Sequence, residues 1–437
     1  MAIRTTPDDK LTRNKIMLAR VLLIAVLTLF TACDSEQTMS SNAAFVDLLP
    51  SPAGPGSGQS HLAVTALGSV VVSWIEPIGD EHALRFSILG ESEWGPAQTV
   101  AKGDSWFINW ADFPSVVPIS DELWAAHWLQ RRPGGRYAYD VAVSVSTDSG
   151  KTWSDAAAPH LDGTATEHGF VTLYPVDAEI GVLWLDGRNM AEDHAEITNP
   201  LENTLSGMTL RSATITPNLE IKHMQLIDDL TCDCCQTDVA IGPDGPVAVY
   251  RNRDPDETRD IYVARSVAGK WTEGKKISND GWIIAGCPVN GPAIAADGHN
   301  MAVAWFTAAG DRPTVKMAFS ANAGLNFSDP VTIDENKPSG RVDIALLGDD
   351  SAIVSWLRMN EQGQPEISAR IVSAKSGAGR AFTVAENSIS RSAGVPQMIS
   401  NGKYLIFAWV DASGENSQVL TAKLPLAALQ HLQVAYN

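Results

Sequence analysis

The sequence predicts an all-β fold, a β-propeller of four-stranded blades, with seven blades favoured and six as the alternative. The first observation is a repeat: seven apolar runs each end in an aromatic residue, and consecutive ones stand 51 to 66 residues apart. These aromatic residues are Trp74, Trp128, Trp184, Tyr250, Trp305, Trp356 and Trp409. A strand-like repeat near fifty residues is typical of a radial array of small sheets.

The second observation is a pattern inside each unit. A turn such as Asp244-Gly245 or Asn401-Gly402 separates a first strand from a second. Asn, Asp and Gly tolerate the positive φ angles of tight hairpins. The second strand is apolar on both faces, as expected between neighbouring blades, and the third strand alternates. Each unit therefore predicts one antiparallel blade.

The third observation is an eight-residue segment, Ser146 to Trp153, in the turn between the third and fourth strands of one unit. We expect Asp148 to accept N–H groups of its own turn, Gly150 to supply a special φ angle and Trp153 to pack beneath the hairpin. A degenerate copy runs from Ser320 to Phe327.

This segment resembles the Asp-box of the sialidase superfamily and of other propellers with bacterial neuraminidase repeats. The matching residues are Ser146, Asp148, Gly150, Thr152 and Trp153. The resemblance spans about residues 60–425 and implies the propeller fold. It implies nothing about catalysis, because Asp-boxes lie on the structural face of the propeller.

The N-terminal region has the features of a targeting segment. Five basic residues precede Val21 to Phe30, an apolar run too short to span a bilayer. The following Phe-Thr-Ala-Cys, ending at Cys33, resembles the lipobox of bacterial lipoproteins. That resemblance implies a signal peptide over residues 1–32, acylation of Cys33 and a membrane anchor facing the periplasm. Asp34 resembles an inner-membrane retention signal. The alternative is an ordinary secretory signal with a chance cysteine.

Residues 33–59 are expected to form a tether, because Ser, Pro and Gly are frequent there. Residues 60–437 are expected to form the propeller domain. The last unit shows only three strands, and we expect Phe45 to Leu49 to supply the fourth. The alternative partner is the tail around Leu432 to Tyr436. No later segment has eighteen uninterrupted apolar residues, so no transmembrane helix is expected.

The charge of the chain excludes some partners. The formal net charge is −19, and without residues 1–32 it becomes −22 from 27 basic and 49 acidic residues. Such a body repels nucleic acid, so no nucleic-acid partner is expected. An anionic ligand needs a local basic site.

That basic site is predicted on one rim of the propeller. The loops that enter each first strand, and those that follow each second strand, emerge on the same rim, where function is expected. Arginines are concentrated in these loops and could clamp an anion. The predicted ligand-binding residues are Arg188, Arg253, Arg341, Arg391, Trp110 and Asn290. Alternatively, the arginines pair with Asp186, Asp254 and Asp343 to hold loops together, and Trp110 plugs the channel mouth.

Candidate catalytic groups lie on the same rim. Asp112 and Asp186 could act as the paired carboxylates of a glycosidase, with His168 as a base. The sialidase resemblance implies arginines on a substrate carboxylate, a Tyr–Glu nucleophile pair and an Asp acid. Acidic turn residues are common, and a rim histidine is more often a hydrogen-bonded loop residue.

The cysteines form an unusual group. Cys232, Cys234, Cys235 and Cys287 open two successive innermost strands, so they can meet near the axis. In an oxidising compartment disulfides are the favoured interpretation, with one link between blades and one local link. The alternatives are a copper or zinc thiolate site that includes His168, or free thiols. No cofactor is predicted.

These observations favour a lipid-anchored propeller that binds a glycan or another small anionic ligand at the channel mouth. One alternative is a glycoside hydrolase of the exo-sialidase type. Another is a periplasmic thiolate metal-binding protein or scaffold.

Overall fold

The computed structural model describes residues 46–190 and 207–429, which form seven antiparallel sheets in chain order. The predicted seven-bladed β-propeller is therefore confirmed. The signal peptide, Cys33, Asp34 and the tail around Leu432 to Tyr436 lie outside the described residues.

The strands of each blade follow one another along the chain, from the axis outwards. A first short strand, β1 (Asp47–Leu49), precedes the first complete blade. Blade 1 contains β2 (Gly58–Val64), β3 (Val70–Ile78), β4 (Glu81–Ile88) and β5 (Gln98–Gly103). Blade 2 contains β6 (Ser115–Pro118), β7 (Trp124–Arg131) and β8 (Tyr139–Ser146). Blade 3 contains β9 (His168–Val176), β10 (Glu179–Asp186), β11 (Met208–Ile215) and β12 (Ile221–Thr231).

The second half of the ring repeats this order. Blade 4 contains β13 (Asp238–Gly242), β14 (Gly245–Arg251), β15 (Ile261–Val267), β16 (Lys270–Trp271) and β17 (Lys275–Lys276). Blade 5 contains β18 (Ala293–Asp297), β19 (Asn300–Thr307), β20 (Thr314–Ser320) and β21 (Val331–Asp334). Blade 6 contains β22 (Pro338–Gly348), β23 (Ser351–Met359), β24 (Pro365–Ser373) and β25 (Gly377–Glu386). Blade 7 contains β26 (Gln397–Ser400), β27 (Tyr404–Asp411) and β28 (Gln418–Pro425).

Two blades have an irregular outer edge. In blade 2, Val143 and Ala157 exchange both backbone hydrogen bonds, at 2.8 and 2.9 Å, in place of a regular fourth strand. In blade 4, β16 and β17 both pair with β15. In every blade the first three strands pair in chain order, so these deviations do not alter the ring.

The ring is closed by the two ends of the described chain. Strand β1 pairs antiparallel with β28, with Asp47 opposite Lys423 and Leu49 opposite Thr421. A hydrophobic cluster between blades 7 and 1 covers this junction and includes Leu49, which is 7% exposed. Blade 7 thus takes its outer strand from the N-terminal side, which ties the two ends of the described chain together in one sheet.

The core consists of seven hydrophobic clusters, one between each pair of neighbouring blades. The repeated aromatic residues of the second strands lie in these clusters and are at most 7% exposed. The second strand of each blade is buried on both faces because a blade packs against each side of it.

The turn from Ser146 to Trp153 is held by its own side chains. Asp148 accepts hydrogen bonds from the Thr152 N–H at 2.8 Å and from the Thr152 hydroxyl at 2.6 Å. Gly150 has a φ of 82°, and its N–H donates to Ser146 Oγ at 2.9 Å. In blade 5 Ser320 and Asn322 make equivalent bonds. Both turns lie at the ends of third strands, opposite the entries to the first strands.

A central channel with a volume of about 850 Å³ runs along the innermost strands. One end is bordered by the entries to these strands, among them His61, Gln236, Gly291 and Arg341. We call this end the mouth. Within the described ranges, no helix has the length and apolar character needed to cross a membrane.

Candidate functional site at the channel mouth

The loop 109–113, which we call the plug, lies across the mouth. The Trp110 ring lies 4.6 Å from the Arg341 guanidinium of blade 6, measured to the ring centroid. The Ala111 carbonyl accepts a hydrogen bond of 2.8 Å from the Gln236 side chain of blade 4. Asp112 Oδ1 accepts the Phe170 N–H of blade 3 at 2.7 Å. The plug therefore contacts three other blades and positions the polar groups around it.

Several polar side chains at the innermost strands connect one blade to the next. Asn290 Oδ1 accepts the Arg341 N–H at 2.7 Å, and Asp343 Oδ2 accepts the Met398 N–H at 2.6 Å. Asp238 Oδ2 accepts the Ile294 N–H at 2.8 Å, and Asp112 makes the equivalent bond to Phe170. The predicted site residues Asp112 and Asn290 thus belong to a set of acceptors that tie neighbouring blades together.

Burial keeps these carboxyl groups partly protonated near neutral pH. It raises the pKa of Asp112 to about 8 and that of Asp343 to about 8, although backbone N–H donors oppose the shift. The pKa of Asp238 is raised to about 6 for the same reason. A buried carboxylate loses its hydration, so its charged form is less stable than it is in water.

Asp112 also belongs to a carboxyl pair that shares a tyrosine. The Tyr139 hydroxyl lies 2.6 Å from Glu167 Oε1 and 3.2 Å from Asp112 Oδ2, and donates to them. Burial raises the pKa of Glu167 to about 7. Tyr139 is fully buried, whereas Glu167 is half-buried at the mouth. A Cβ on Gly169 would lie 2.0 Å from Asp112 Oδ2, so only glycine allows this approach.

Asp186 lies in a different hydrogen-bond network from Asp112. Its buried carboxylate accepts Trp184 Nε1 at 2.8 Å and two Arg188 nitrogens at 2.7 Å each. Burial alone would raise its pKa, but the bonds from Arg188, the nearby His168 and Trp184 hold that pKa below its usual value.

This arrangement recurs around the ring. In three other blades the second-strand tryptophan also donates Nε1 to a carboxylate that is paired with a cation. The groups are Trp74–Glu76–Arg85, Trp305–Asp280–Lys316 and Trp356–Asp334–Arg358. Asp186 and Arg188 therefore occupy a repeated structural position.

His168 is fully buried against a second histidine. The His160 and His168 rings stack in parallel with their centroids 3.8 Å apart. His168 Nε2 lies 3.2 Å from Asp162 Oδ2 and 3.8 Å from Asp186 Oδ1. Burial and the neighbouring His168 lower the pKa of His160 to about 4. The parallel rings cannot both direct an in-plane nitrogen at one ion between them, so the geometry disfavours a metal site that uses both histidines.

The four predicted arginines separate into two groups. Arg188 and Arg253 are paired with acids: Arg188 with Asp186, and Arg253 with Glu257 at 2.6 Å. Arg341 instead donates to three backbone carbonyls, those of Ile389, Ser390 and Gly394, at 2.8 to 3.0 Å.

Arg391 is exposed and lies near Arg341. Burial is the main cause that lowers the pKa of Arg341 to about 10, and the positive charge of Arg391 is the second. Among the described residues, neither Arg341 nor Arg391 has a carboxylate within 4.0 Å.

The cysteines meet near the mouth. Cys232 and Cys235 are buried and form a disulfide, and the Sγ atoms of Cys232, Cys234 and Cys235 lie within 4.8 Å of one another. Cys234 and Cys287 are free, and the Cys234 thiol donates a hydrogen bond to Cys287. Among the described residues, His168 lies with His160 and the acids and does not belong to the sulfur cluster.

Sequence reasoning missed the partners that define these networks. Glu167 stands beside His168 in the same entry loop, but its contact with Tyr139 depends on the fold of two blades. His160 and Asp162 lie in the irregular outer segment of blade 2, where no repeat marks them. The acids two residues after Trp74 and Trp184 could have been found by comparing the units. Those of Trp305 and Trp356 come 25 and 22 residues before the tryptophan.

Comparisons with known proteins support the fold. No protein-family model and no curated protein matches the chain. Among solved structures, a protein of unknown function from Dyadobacter fermentans is 11% identical, with a TM-score of 0.50 over 88% of this chain and 98% of that chain.

Two sugar-acting enzymes are among the other similar structures. An α-L-arabinofuranosidase of Fusarium graminearum is 13% identical, with a TM-score of 0.46 over 88% of this chain and 97% of that chain. A sialidase from Streptococcus pneumoniae is 10% identical, with a TM-score of 0.43 over 89% of this chain and 69% of that chain. At such identities the similarity concerns the propeller fold alone.

Proposed function

We propose that the mouth binds a hydroxyl-rich anionic ligand of the sugar-acid class, with its carboxylate held by Arg341 and Arg391. The observation that carries this proposal is that Arg341 donates to the Ser390 carbonyl next to Arg391, at 2.9 Å, while neither arginine has a carboxylate partner among the described residues. In a chain with a formal net charge of −19, two such arginines form a local positive site. A bound carboxylate relieves their mutual repulsion and matches the guanidinium fork.

The surroundings of the two arginines suit a sugar ring. The plug places Trp110 next to Arg341, and two residues later Asp112 contacts the Tyr139 hydroxyl that also binds Glu167. A ligand that lies along the plug can therefore reach the arginines with its carboxylate and Glu167 with a hydroxyl group. Aromatic and carboxyl groups are common partners of sugar rings and hydroxyls.

Calorimetric titration tests this proposal. The acidic probes are N-acetylneuraminic acid and glucuronic acid, and the neutral probes are N-acetylglucosamine and glucose. We expect the acidic sugars to bind more tightly. Arg391→Ala should weaken their binding about 10- to 100-fold, the value of one charge-assisted hydrogen bond. Arg312→Ala is the matched control, because Arg312 is an exposed arginine on the loop after β19. Equal binding of neutral and acidic sugars, or equal weakening by the two variants, contradicts the proposal.

A second candidate function is hydrolysis of a glycoside of such a sugar. It is favoured by Glu167 and Asp112, whose raised pKa values of about 7 and about 8 let each carboxyl hold a proton near neutral pH. Tyr139 is too deeply buried to reach a substrate and serves to position these carboxyl groups. Release of a fluorescent aglycone from sialoside and glucuronide substrates tests this function. Glu167→Gln should abolish the release, whereas absence of release by the unmodified protein excludes these substrates.

We also propose that the protein is held at the bacterial cell envelope by a lipid on Cys33, facing the periplasm and leaning to the inner membrane through Asp34. The support is the sequence around Cys33. Incorporation of a labelled fatty acid, lost in Cys33→Ser, tests the anchor, and membrane fractionation tests the location.

A further inference from the structure

The four clustered cysteines form two pairs that differ in accessibility. Cys232 and Cys235 are 0% and 2% exposed and are linked to each other. Cys287 is exposed and Cys234 is half-buried. Their segments are in contact: Gly291 donates its N–H to the Gln236 side chain at 3.1 Å, and Cys234 and Val289 pack against the same hydrophobic cluster. The buried pair is shielded from reagents in solution. In the second pair Cys287 is accessible to solvent, and Cys234 is less accessible.

The hydrogen bond within the second pair favours a thiolate at the exposed position. The hydrogen bond from Cys234 lowers the pKa of the Cys287 thiol, and Arg259 acts in the same direction, although burial and nearby Asp233 and Glu167 oppose it. The same hydrogen bond, together with burial, raises the pKa of Cys234. Cys287 is thus the better nucleophile, and Cys234 keeps its proton until Cys287 has reacted.

Arg259 has little freedom to leave this position. It is 3% exposed along its side chain and lies 3.6 Å from Cys232 Sγ, measured from Nη1. Its Nη2 donates to Glu257 at 2.9 Å, and its Nη1 lies 3.7 Å from Asp233. These contacts fix a positive charge beside the cluster.

We propose that Cys287 and Cys234 form a redox-active dithiol that exchanges with an external disulfide. The Cys287 thiolate attacks one sulfur of the disulfide RSSR, which forms a mixed disulfide and releases one thiolate, RS⁻. Cys234 then loses its proton to water and attacks Cys287 Sγ. A Cys234–Cys287 disulfide forms and the second RS⁻ leaves. The protein loses two electrons, and RSSR gains them as two thiols.

The product would link blade 4 to blade 5 at the mouth, because Cys234 precedes β13 and Cys287 precedes β18. The inference goes beyond the proposed ligand site, since it needs neither Arg341 nor Arg391. Two of the four sulfurs are already joined, which leaves only two thiols for a soft metal ion in this state.

The test uses the full chain, mildly reduced and then exposed to glutathione disulfide, with peptide mapping by mass spectrometry at successive times. We expect Cys234–Cys287 to form while Cys232–Cys235 stays linked. Cys234→Ser should stop at a glutathione adduct on Cys287. Cys287→Ser should react at about one tenth of the rate of the unmodified protein or more slowly, because the exposed nucleophile is gone. Cys33→Ser is the matched control and should react like the unmodified protein.

Three outcomes would overturn the proposal. The first is a glutathione adduct mainly on Cys234. The second is unchanged oxidation of Cys287→Ser. The third is protection of the Cys234 and Cys287 thiols by added zinc or copper(I), which would define a metal centre instead. Circular dichroism checks that each variant is folded, and Cys234→Ala replaces the serine variant if that variant does not fold.

Discussion

Replacing Asp186 by asparagine tests whether this carboxylate is catalytic or structural. The buried side chain accepts one hydrogen bond from Trp184 and two from Arg188. Asparagine has almost the same shape, but it lacks the negative charge and replaces one acceptor oxygen with a donor NH₂ group. The Arg188 backbone N–H also donates to this carboxylate, at 3.1 Å, so two of the four donors must face another donor, and Arg188 loses its main counter-charge.

The expected loss of stability follows from the geometry. Removing one partner of a buried ion pair costs about 3–5 kcal/mol, and hydrogen bonds to charged groups contribute about 1.5–3 kcal/mol each. Arg188 is 24% exposed along its side chain and keeps Asp162 at 3.2 Å, so water and this second carboxylate offset part of the loss. We expect Asp186→Asn to lower the free energy of unfolding by about 2–3 kcal/mol.

Urea unfolding followed by tryptophan fluorescence measures this change. Asp334→Asn is the matched variant, because Asp334 accepts Trp356 Nε1 at 2.7 Å in blade 6. The deficit of Asp186→Asn should shrink in acid. The folded-state pKa of Asp186 lies below its ordinary value of 3.8, so its ionised form stabilises the fold above that pH and the contribution is lost as the pH falls further. Full stability of Asp186→Asn at pH 7, with Asp334→Asn destabilised, would refute the structural role.

Three further predictions concern the ring and its turns. Leu49→Ala should lower the free energy of unfolding by about 2–3 kcal/mol because Leu49 is buried in the closing cluster, while Leu48→Ala, at a site 70% exposed, should leave it unchanged in urea unfolding. Glu167 should contribute a loss of stability as the pH rises from about 4.5 to about 7, because its carboxyl keeps a proton in the folded state that it loses in the unfolded chain; the stability of Glu167→Gln relative to the unmodified protein should therefore rise over this range in unfolding curves at several pH values. Gly150→Ala should lower the melting temperature more than Gly163→Ala. Both have positive φ, but only at Gly150 would the added Cβ meet an aromatic ring, at 3.0 Å.

The propeller could be predicted because its signals are local. Each blade repeats an apolar strand that ends in an aromatic residue, and Trp305 and Trp356 occupy the same place in neighbouring blades. The turns are also local, since Asp148 and Thr152 are four residues apart. Burial of the second strand on both faces follows from its composition alone.

The site could be predicted only in part, because its contacts join distant segments. Asp112 binds the N–H of Phe170, 58 residues later, and no pattern in the sequence gives that pairing. The rim was predicted to gather arginines, but their partners decide their roles. Arg188 is paired with the acid two residues before it, whereas Arg341 has only carbonyl oxygens and an aromatic ring.

A polar group whose hydrogen bonds and charge are already satisfied by the fold has little left to offer a ligand. Asn290 and Asp186 are of this kind, since each is saturated by donors from its own or the next blade. Arg391 and Cys287 are exposed, and each stands beside a half-buried group of its own kind, Arg341 and Cys234. We therefore expect ligands and redox partners to interact with these two residues rather than with Asp112 and Asp186, the buried acids predicted from the sequence.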